Sequence, residues 1–242
     1  GDFAIAWGGE DIFVQRFDAG GALVGAEILV NAEEQQYRGD PGIAMNASGD
    51  FVVSYSTGEW VNSQWVTYDS DGRRVASASV ESTYGTGLAI NDDGFFVFGT
   101  LEYDTGLLAQ IYTHAGVAVG DQILVTPGKH GGLDWNIYDL DVKMDGESFL
   151  VTWHDYDFPP EGFGHGDGIY AARFALQGDR IGDEIEMGAY DTRWERSPSA
   201  GIGDDGRFVI AWQQAWGDGI FARAFQCESA GATEPVPLLH LP

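Results

Sequence analysis

One seven-residue pattern constrains this chain more than any other feature. It is Gly206-Arg207-Phe208-Val209-Ile210-Ala211-Trp212, and near-copies of it occur five times. The others are Gly1–Trp7, Gly49–Tyr55, Gly94–Thr100 and Glu147–Trp153. The phase-marking aromatic stands at Phe3, Phe51, Phe96, Phe149 and Phe208. Each copy is a short β-branched and aromatic run bounded by Gly and Asp, which reads as a strand. A polar loop follows, then a second apolar strand closing on Phe17, Tyr68, Tyr112, Phe174 or Phe225.

Two more short apolar runs complete each unit. One follows a Gly/Asp turn, as at Glu27–Val30, Ala76–Val80, Gln122–Val125, Glu184–Glu186 and Val236–Leu239. The other precedes the next copy of the first pattern, at Gly42–Met45, Gly87–Ile90, Leu140–Val142 and Ala200–Ile202. We name the four strands A (such as 42–45), B, C and D in chain order. Units of roughly 50 residues built from four short strands predict propeller blades. Small residues such as Ala44 and Ala89 on strand A suit a crowded axis, and no segment of useful length has a helical period. The expectation is an all-β chain, a five-bladed β-propeller in one domain over residues 1–242, with repeats near 1–39, 40–84, 85–137, 138–196 and 197–242.

The first unit begins at Gly1 already in strand B, so its blade is expected to lack the inner strand. Either residues upstream of Gly1 supply it or the ring closes on a three-stranded blade. The liability of an unpaired edge favours the first.

Hydrophobic residues make up 44% and aromatics 13% of the chain, which argues against disorder. No apolar run approaches the length of a membrane span. The formal net charge of −26 opposes nucleic acid and anionic membranes, which call for Lys/Arg clusters. The acidity fits a solvated surface in a salty habitat, Ca²⁺ in Asp/Gly turns, or a cationic partner. Cys227 is the single cysteine, so no intramolecular disulfide forms, and it reads as an idle thiol.

Residues 11–31, Pro41–Ala44 and Gly49–Tyr55 resemble the tandem repeats of about 50 residues found in large secreted or surface-anchored bacterial proteins. Those repeats carry a Phe-Val-Val-Ala-Trp-like strand, an Asp/Gly-rich loop and an Ile-Tyr-Ala-Gln-Arg-Phe-like strand. Residues 1–31, 40–55 and 168–225 match best, and the unit at 85–126 is the most diverged. The resemblance implies export and a scaffold, not a chemistry. The chain is therefore expected to be secreted or on the bacterial cell surface.

In a propeller the A-to-B and C-to-D turns open on one face and the D-to-A and B-to-C loops on the other. The first set here is short and made of Gly, Asp and Asn, whereas the second is long and aromatic. Function concentrates in variable loops on a rigid scaffold, so the site is expected on that second face. Trp60, Tyr103, Trp135, Tyr156, Trp194 and Trp216 lie in these loops, with Arg38, Arg193 and Arg196 as rare cations. Aromatic faces stack on the C–H face of a sugar while charged groups bond its hydroxyls. The competing reading is loop side chains packing over the ring. Trp7, Trp153 and Trp212 instead share one strand-B position and are expected in the core.

The loop 154–168 is the most unusual. His154, Asp155, Asp157, His165 and Asp167 could ligate a transition metal, or the carboxylates alone Ca²⁺. A plain Asp/Gly loop is the other reading, since the spacing matches no established metal signature. For catalysis, Asp40, Glu102, Asp139, Asp155 and Glu195 fall on the same face, and a glycosidase needs two carboxylates across the bond. No nucleophile elbow, phosphate loop or dinucleotide fingerprint is present.

The residues and the resemblance lead to an exported, lectin-like recognition module that binds carbohydrate or another polar small ligand. A carbohydrate-active enzyme of glycoside hydrolase type, or a structural repeat of a surface protein, are the alternatives.

Overall fold

The computed structural model describes residues 1–9, 11–32, 38–57, 62–81, 84–102, 105–127, 137–155, 168–187, 195–214, 219–227, 233–235 and 239–241. Among these there is no helix, and the strands form five antiparallel sheets. The first holds β1 (Phe3–Gly8), β2 (Ile12–Phe17) and β3 (Leu23–Leu29). The second holds β4 (Arg38–Met45), β5 (Phe51–Thr57), β6 (Asn62–Tyr68) and β7 (Arg74–Glu81). The third holds β8 (Tyr84–Ile90), β9 (Phe95–Glu102), β10 (Gly106–Thr113) and β11 (Ala118–Pro127). The fourth holds β12 (Ile137–Met144), β13 (Ser148–Asp155), β14 (Gly168–Ala175) and β15 (Arg180–Glu186). The fifth holds β16 (Glu195–Ile202), β17 (Phe208–Gln214), β18 (Gly219–Cys227) and β19 (Thr233–Pro235), with β20 (Leu239–Leu241) also on β18. Each sheet is a meander in chain order, the A-B-C-D blade of a five-bladed β-propeller. Among the described residues the first blade has no strand A, as its sequence implies.

Strands A and D are longer than the sequence suggests. Strand D starts directly after the C-to-D turn, at Leu23, Arg74, Ala118 and Arg180. Strand A starts several residues early because it carries a β-bulge in all four sheets that have it. The register shifts between Gly39 and Gly42, Tyr84 and Thr86, Tyr138 and Asp141, and Arg196 and Ser199. The extra residue lets the strand continue past Pro41 and Pro198, which lack the donor a regular ladder needs. Residues assigned to D-to-A loops, among them Arg38, Asp40, Asp139, Glu195 and Arg196, are thus strand residues.

Three of the A-to-B turns are closed by their first side chain. Asn46 Oδ1 accepts from the Asp50 amide at 3.0 Å and Asn91 Oδ1 from the Phe95 amide at 2.9 Å. Asp145 Oδ1 accepts from the Ser148 amide at 2.6 Å. Gly49, at φ 88°, supplies the left-handed residue that lets the chain reverse within four positions.

The chain divides into two compact units. Unit 1 comprises Gly1–Glu102 with Ala109–Asp121, and unit 2 comprises Tyr103–Leu108 with Gln122–Pro242. In unit 1, Phe51, Val53, Tyr55, Val66 and Tyr68 of the second blade bury against Ile12, Val14 and Val30 of the first. The opposite face of the second blade buries Val52 and Trp65 against Phe96 and Phe98 of the third. Each such side chain contributes about 1.5–3 kcal/mol by leaving water. Polar latches run beside these contacts. Arg16 donates to the carbonyls of Ser70 and Asp71, and Thr67 Oγ1 to the carbonyl of His114 at 2.9 Å.

Unit 2 repeats the scheme. Leu150, Ile169 and Ala171 of the fourth blade pack on Phe208, Ile210, Trp212 and Phe225 of the fifth. The latch is a buried network. Arg173 donates to Asp145 Oδ2 at 3.1 Å, to Ser148 Oγ at 2.7 Å and to the Gly206 carbonyl at 3.3 Å.

Trp153 and Trp212 are core residues, but Trp7 is 38% exposed. Trp212 is buried in a cluster with Leu150, Ile169 and Ala171 of the fourth blade.

Breaking the Arg173 network tests its weight. Asp145→Ala removes the turn cap and one partner of a buried ion pair, and is expected to destabilise unit 2 by about 3–5 kcal/mol. A lower urea midpoint in the variant, followed by Trp fluorescence, checks this.

Candidate functional site

Strand A begins and strand B ends at the same end of each sheet, because the two are antiparallel neighbours. In unit 2 this end of the fourth and fifth blades gathers ionisable side chains. His154 and Asp155 are the last two residues of β13, their backbones opposite Tyr138 and Ile137. Glu195 and Arg196 are the first two of β16, opposite Gln214 and Gln213. His154, Asp155 and Glu195 are buried, whereas Arg196 is exposed.

The bulges set the finer geometry. Asp139 and Ser197 occupy the same bulge position in consecutive blades, and both adopt left-handed backbone, at φ 51° and 50°. Asp139 Oδ2 accepts from the Ser197 amide at 3.1 Å and its hydroxyl at 3.3 Å. Two residues on, Asp141 Oδ2 accepts from the Ala200 amide at 2.9 Å, while its Oδ1 meets Lys143 Nζ at 2.6 Å. Asp139 and Asp141 therefore stitch the inner strand of the fifth blade to that of the fourth. Asp139 remains solvent-accessible beyond this contact.

Glu195 Oε1 accepts from the indole Nε1 of Trp212 at 3.2 Å. The bond is a diagonal one across the β16–β17 pair, and it gives a buried carboxyl a donor that an apolar surrounding would deny it. Burial of His154 lowers its pKa from 6.5 to about 4, with Asp139 opposing the shift and Arg196 adding to it. The ring is neutral at pH 7, a hydrogen-bonding and metal-ligating form. Buried ionisable groups at the mouth of a loop cluster are the pattern by which functional sites are recognised.

Of the sequence-predicted ligand residues, the structure brings Arg196 to this end. Arg38 opens β4 opposite Thr57, with its side chain outside the described set. Trp60, Tyr103, Trp135, Tyr156, Arg193, Trp194 and Trp216 lie outside the described residues. Of the metal candidates, His154 and Asp155 are buried strand residues rather than loop residues, and Asp157, His165 and Asp167 lie outside. Among the described residues no three His, Cys, Asp or Glu side chains converge in a metal-sized group. Sequence reasoning missed Asp141, Ser197, Ser199 and the Trp212–Glu195 bond. The usable signal was the bulge: once Pro198 is read as a bulge residue, Glu195 falls on the Trp212 side of the sheet.

No protein-family model and no curated protein sequence matches the chain. Solved structures do match. An exo-1,5-α-L-arabinanase from a bovine ruminal metagenomic library aligns at TM-score 0.54 and 12% identity, over 100% of this chain and 94% of that one. An endo-arabinase from Bacteroides thetaiotaomicron aligns at 0.51 and 12%, over 100% of this chain and 89% of that one. A GH43 β-1,3-galactosidase with galactodeoxynojirimycin aligns at 0.51 and 12%, over 97% and 90%. Similarity at this identity establishes the propeller fold and nothing finer.

The His154 shift has a pH signature. Its folded pKa lies below the unfolded value, so its contribution is complete above about pH 6.5 and is lost as pH falls toward 4. At about 1.4 kcal/mol per pH unit, the loss reaches roughly 3 kcal/mol. His154→Gln is expected to flatten the urea midpoint against pH across that window. An unchanged slope would contradict a neutral buried ring.

Proposed function

We propose that the chain is an exported recognition module that binds carbohydrate, or another polar small ligand, at the end of the blades where strand A begins. One observation carries this reading. In unit 2 that end concentrates buried His154, Asp155 and Glu195 with exposed Asp139 and Arg196. A neutral imidazole, carboxylates and a guanidinium are the donor and acceptor set that sugar hydroxyls require. The segments that leave this end, 128–136, 156–167, 188–194 and 215–218, hold Trp135, Tyr156, Trp194 and Trp216 in sequence, the rings a sugar face stacks on. The names of the solved neighbours, an arabinanase, an endo-arabinase and a galactosidase, support carbohydrate over other polar ligands.

Hydrolysis is the second reading, favoured by two carboxylates in unlike settings at one end: exposed Asp139 and Glu195 buried beside an indole. Such differentiation is what assigns base and acid roles in a glycosidase.

Titration calorimetry with arabino-, galacto- and xylo-oligosaccharides, alongside reducing-end release, separates the readings. Binding without turnover is expected. Arg196→Ala should weaken it about tenfold or more, the worth of a hydrogen bond to a charged group. Turnover that Asp139→Asn or Glu195→Gln abolishes with binding retained would establish the hydrolase instead. Absence of both, across all three sugar classes, would refute a carbohydrate site.

A further inference from the structure

Among the described residues, two that are not glycine hold a left-handed backbone, Asp139 at φ 51° and Ser197 at φ 50°. An L-residue is strained there, and the strain persists only where the surroundings hold it. Both stand at the same position of the strand-A bulge, in the fourth and fifth sheets. Both are exposed, so burial does not account for the conformation. Joining the two strands does not account for it either. Asp141 already stitches β12 to β16 through the Ala200 amide at 2.9 Å, and its own backbone is not left-handed.

What the strained pair does is aim one carboxylate. The Ser197 amide and hydroxyl both donate to Asp139 Oδ2, at 3.1 and 3.3 Å. Among the described residues nothing engages Oδ1, the other oxygen of the same exposed side chain. A carboxylate oxygen only accepts, so Oδ1 suits a ligand hydroxyl and opposes a second carboxylate. The His154 ring lies in the field of Asp139, which ties this oxygen to the buried groups of the same end. The chain as a whole, at net charge −26, adds to the repulsion of an anion.

We propose that Asp139 makes the site select neutral sugars over acidic ones, its Oδ1 accepting a ligand hydroxyl, and that Ser197 is the positioning residue that aims it. The inference rests on the carbohydrate reading and adds to it a ligand class and two residue roles. A uronic acid bound in the same pose would set its carboxylate against Asp139, a like-charge contact that costs affinity.

Titration calorimetry compares arabino-, galacto- and xylo-oligosaccharides with oligogalacturonates on the parent chain and three variants. The parent is expected to bind a neutral sugar roughly tenfold or more tightly than the acidic one. Asp139→Asn keeps a residue that tolerates left-handed backbone and removes the charge, and should bring the two affinities within about threefold. Ser197→Gly and Ser197→Ala separate aim from stability. Both lack the hydroxyl, but Gly relieves the strain that Ala keeps. Ser197→Gly should therefore melt at or above the parent and Ser197→Ala below it, while both bind the neutral sugar about threefold or more weakly. Affinities that follow the melting temperatures instead would overturn the positioning role. A parent with no neutral preference, or a preference that survives Asp139→Asn, would overturn the selection and leave the carbohydrate reading standing. A parent that binds none of the sugars would overturn that reading and this inference with it.

Discussion

A stacked pair of aromatic rings stands at the same place in every sheet, and the rest of the fold follows from it. Phe3–Phe17, Phe51–Tyr68, Phe96–Tyr112, Phe149–Phe174 and Phe208–Phe225 have centroids 5.0, 4.8, 5.1, 5.3 and 4.7 Å apart and planes within 19° of parallel. In the first, second, fourth and fifth sheets the two residues stand directly opposite each other on strands B and C. Such a pair adds about 0.5–1.5 kcal/mol beyond its buried area. Its larger effect is on register. A slip of one residue would turn Phe51, Val53 and Tyr55 away from the face they share with Ile12 and Val14. With B and C locked, the A-to-B and C-to-D turns fall at one end of each sheet and the variable connections at the other.

Cations serve this scaffold in an unexpected way for a chain with net charge −26. Arg16, Arg173 and Arg180 each reach from one sheet to a backbone carbonyl of its neighbour. A planar guanidinium fits this use because its several donors can serve a turn carbonyl and a side chain together, as Arg173 does with Gly206 and Asp145. The surplus acid is left largely to solvent, in turn residues such as Asp92, Asp204 and Asp205. These carboxylates hold turns by accepting amides, as Asp205 does from Arg207 and Asp92 from Ala47.

How far the sequence disclosed the structure depends on the range of the forces involved. Strand identity and blade count were legible, since they follow from a local pattern repeated with a period. The start of strand A was not. Pro41 and Pro198 read as boundaries, and only pairing against Tyr55 and Trp212 turns them into bulge residues. Trp7 misled as well: its sequence equals that of a core position, yet it is 38% exposed. The Glu195–Trp212 bond and the burial of His154 likewise arise across strands, beyond any spacing rule.

The repeats vary at one end of each blade more than at the positions that face another blade. Positions facing another blade keep their character from copy to copy: Phe51, Phe96, Phe149 and Phe208 are all buried aromatics. The two residues that end strand B do not keep theirs. They are Ser56-Thr57, Leu101-Glu102, His154-Asp155 and Gln213-Gln214. The first residue of the bulge changes too, from Asp40 to Asp139 to Ser197. At the other end three of the A-to-B turns share one solution, the side-chain caps of Asn46, Asn91 and Asp145. Here the fourth blade alone ends strand B with a histidine, buried with Asp139 and Arg196 in its field. Within unit 2 the fourth and fifth blades thus end strand B on unlike residues at matching positions, His154-Asp155 and Gln213-Gln214.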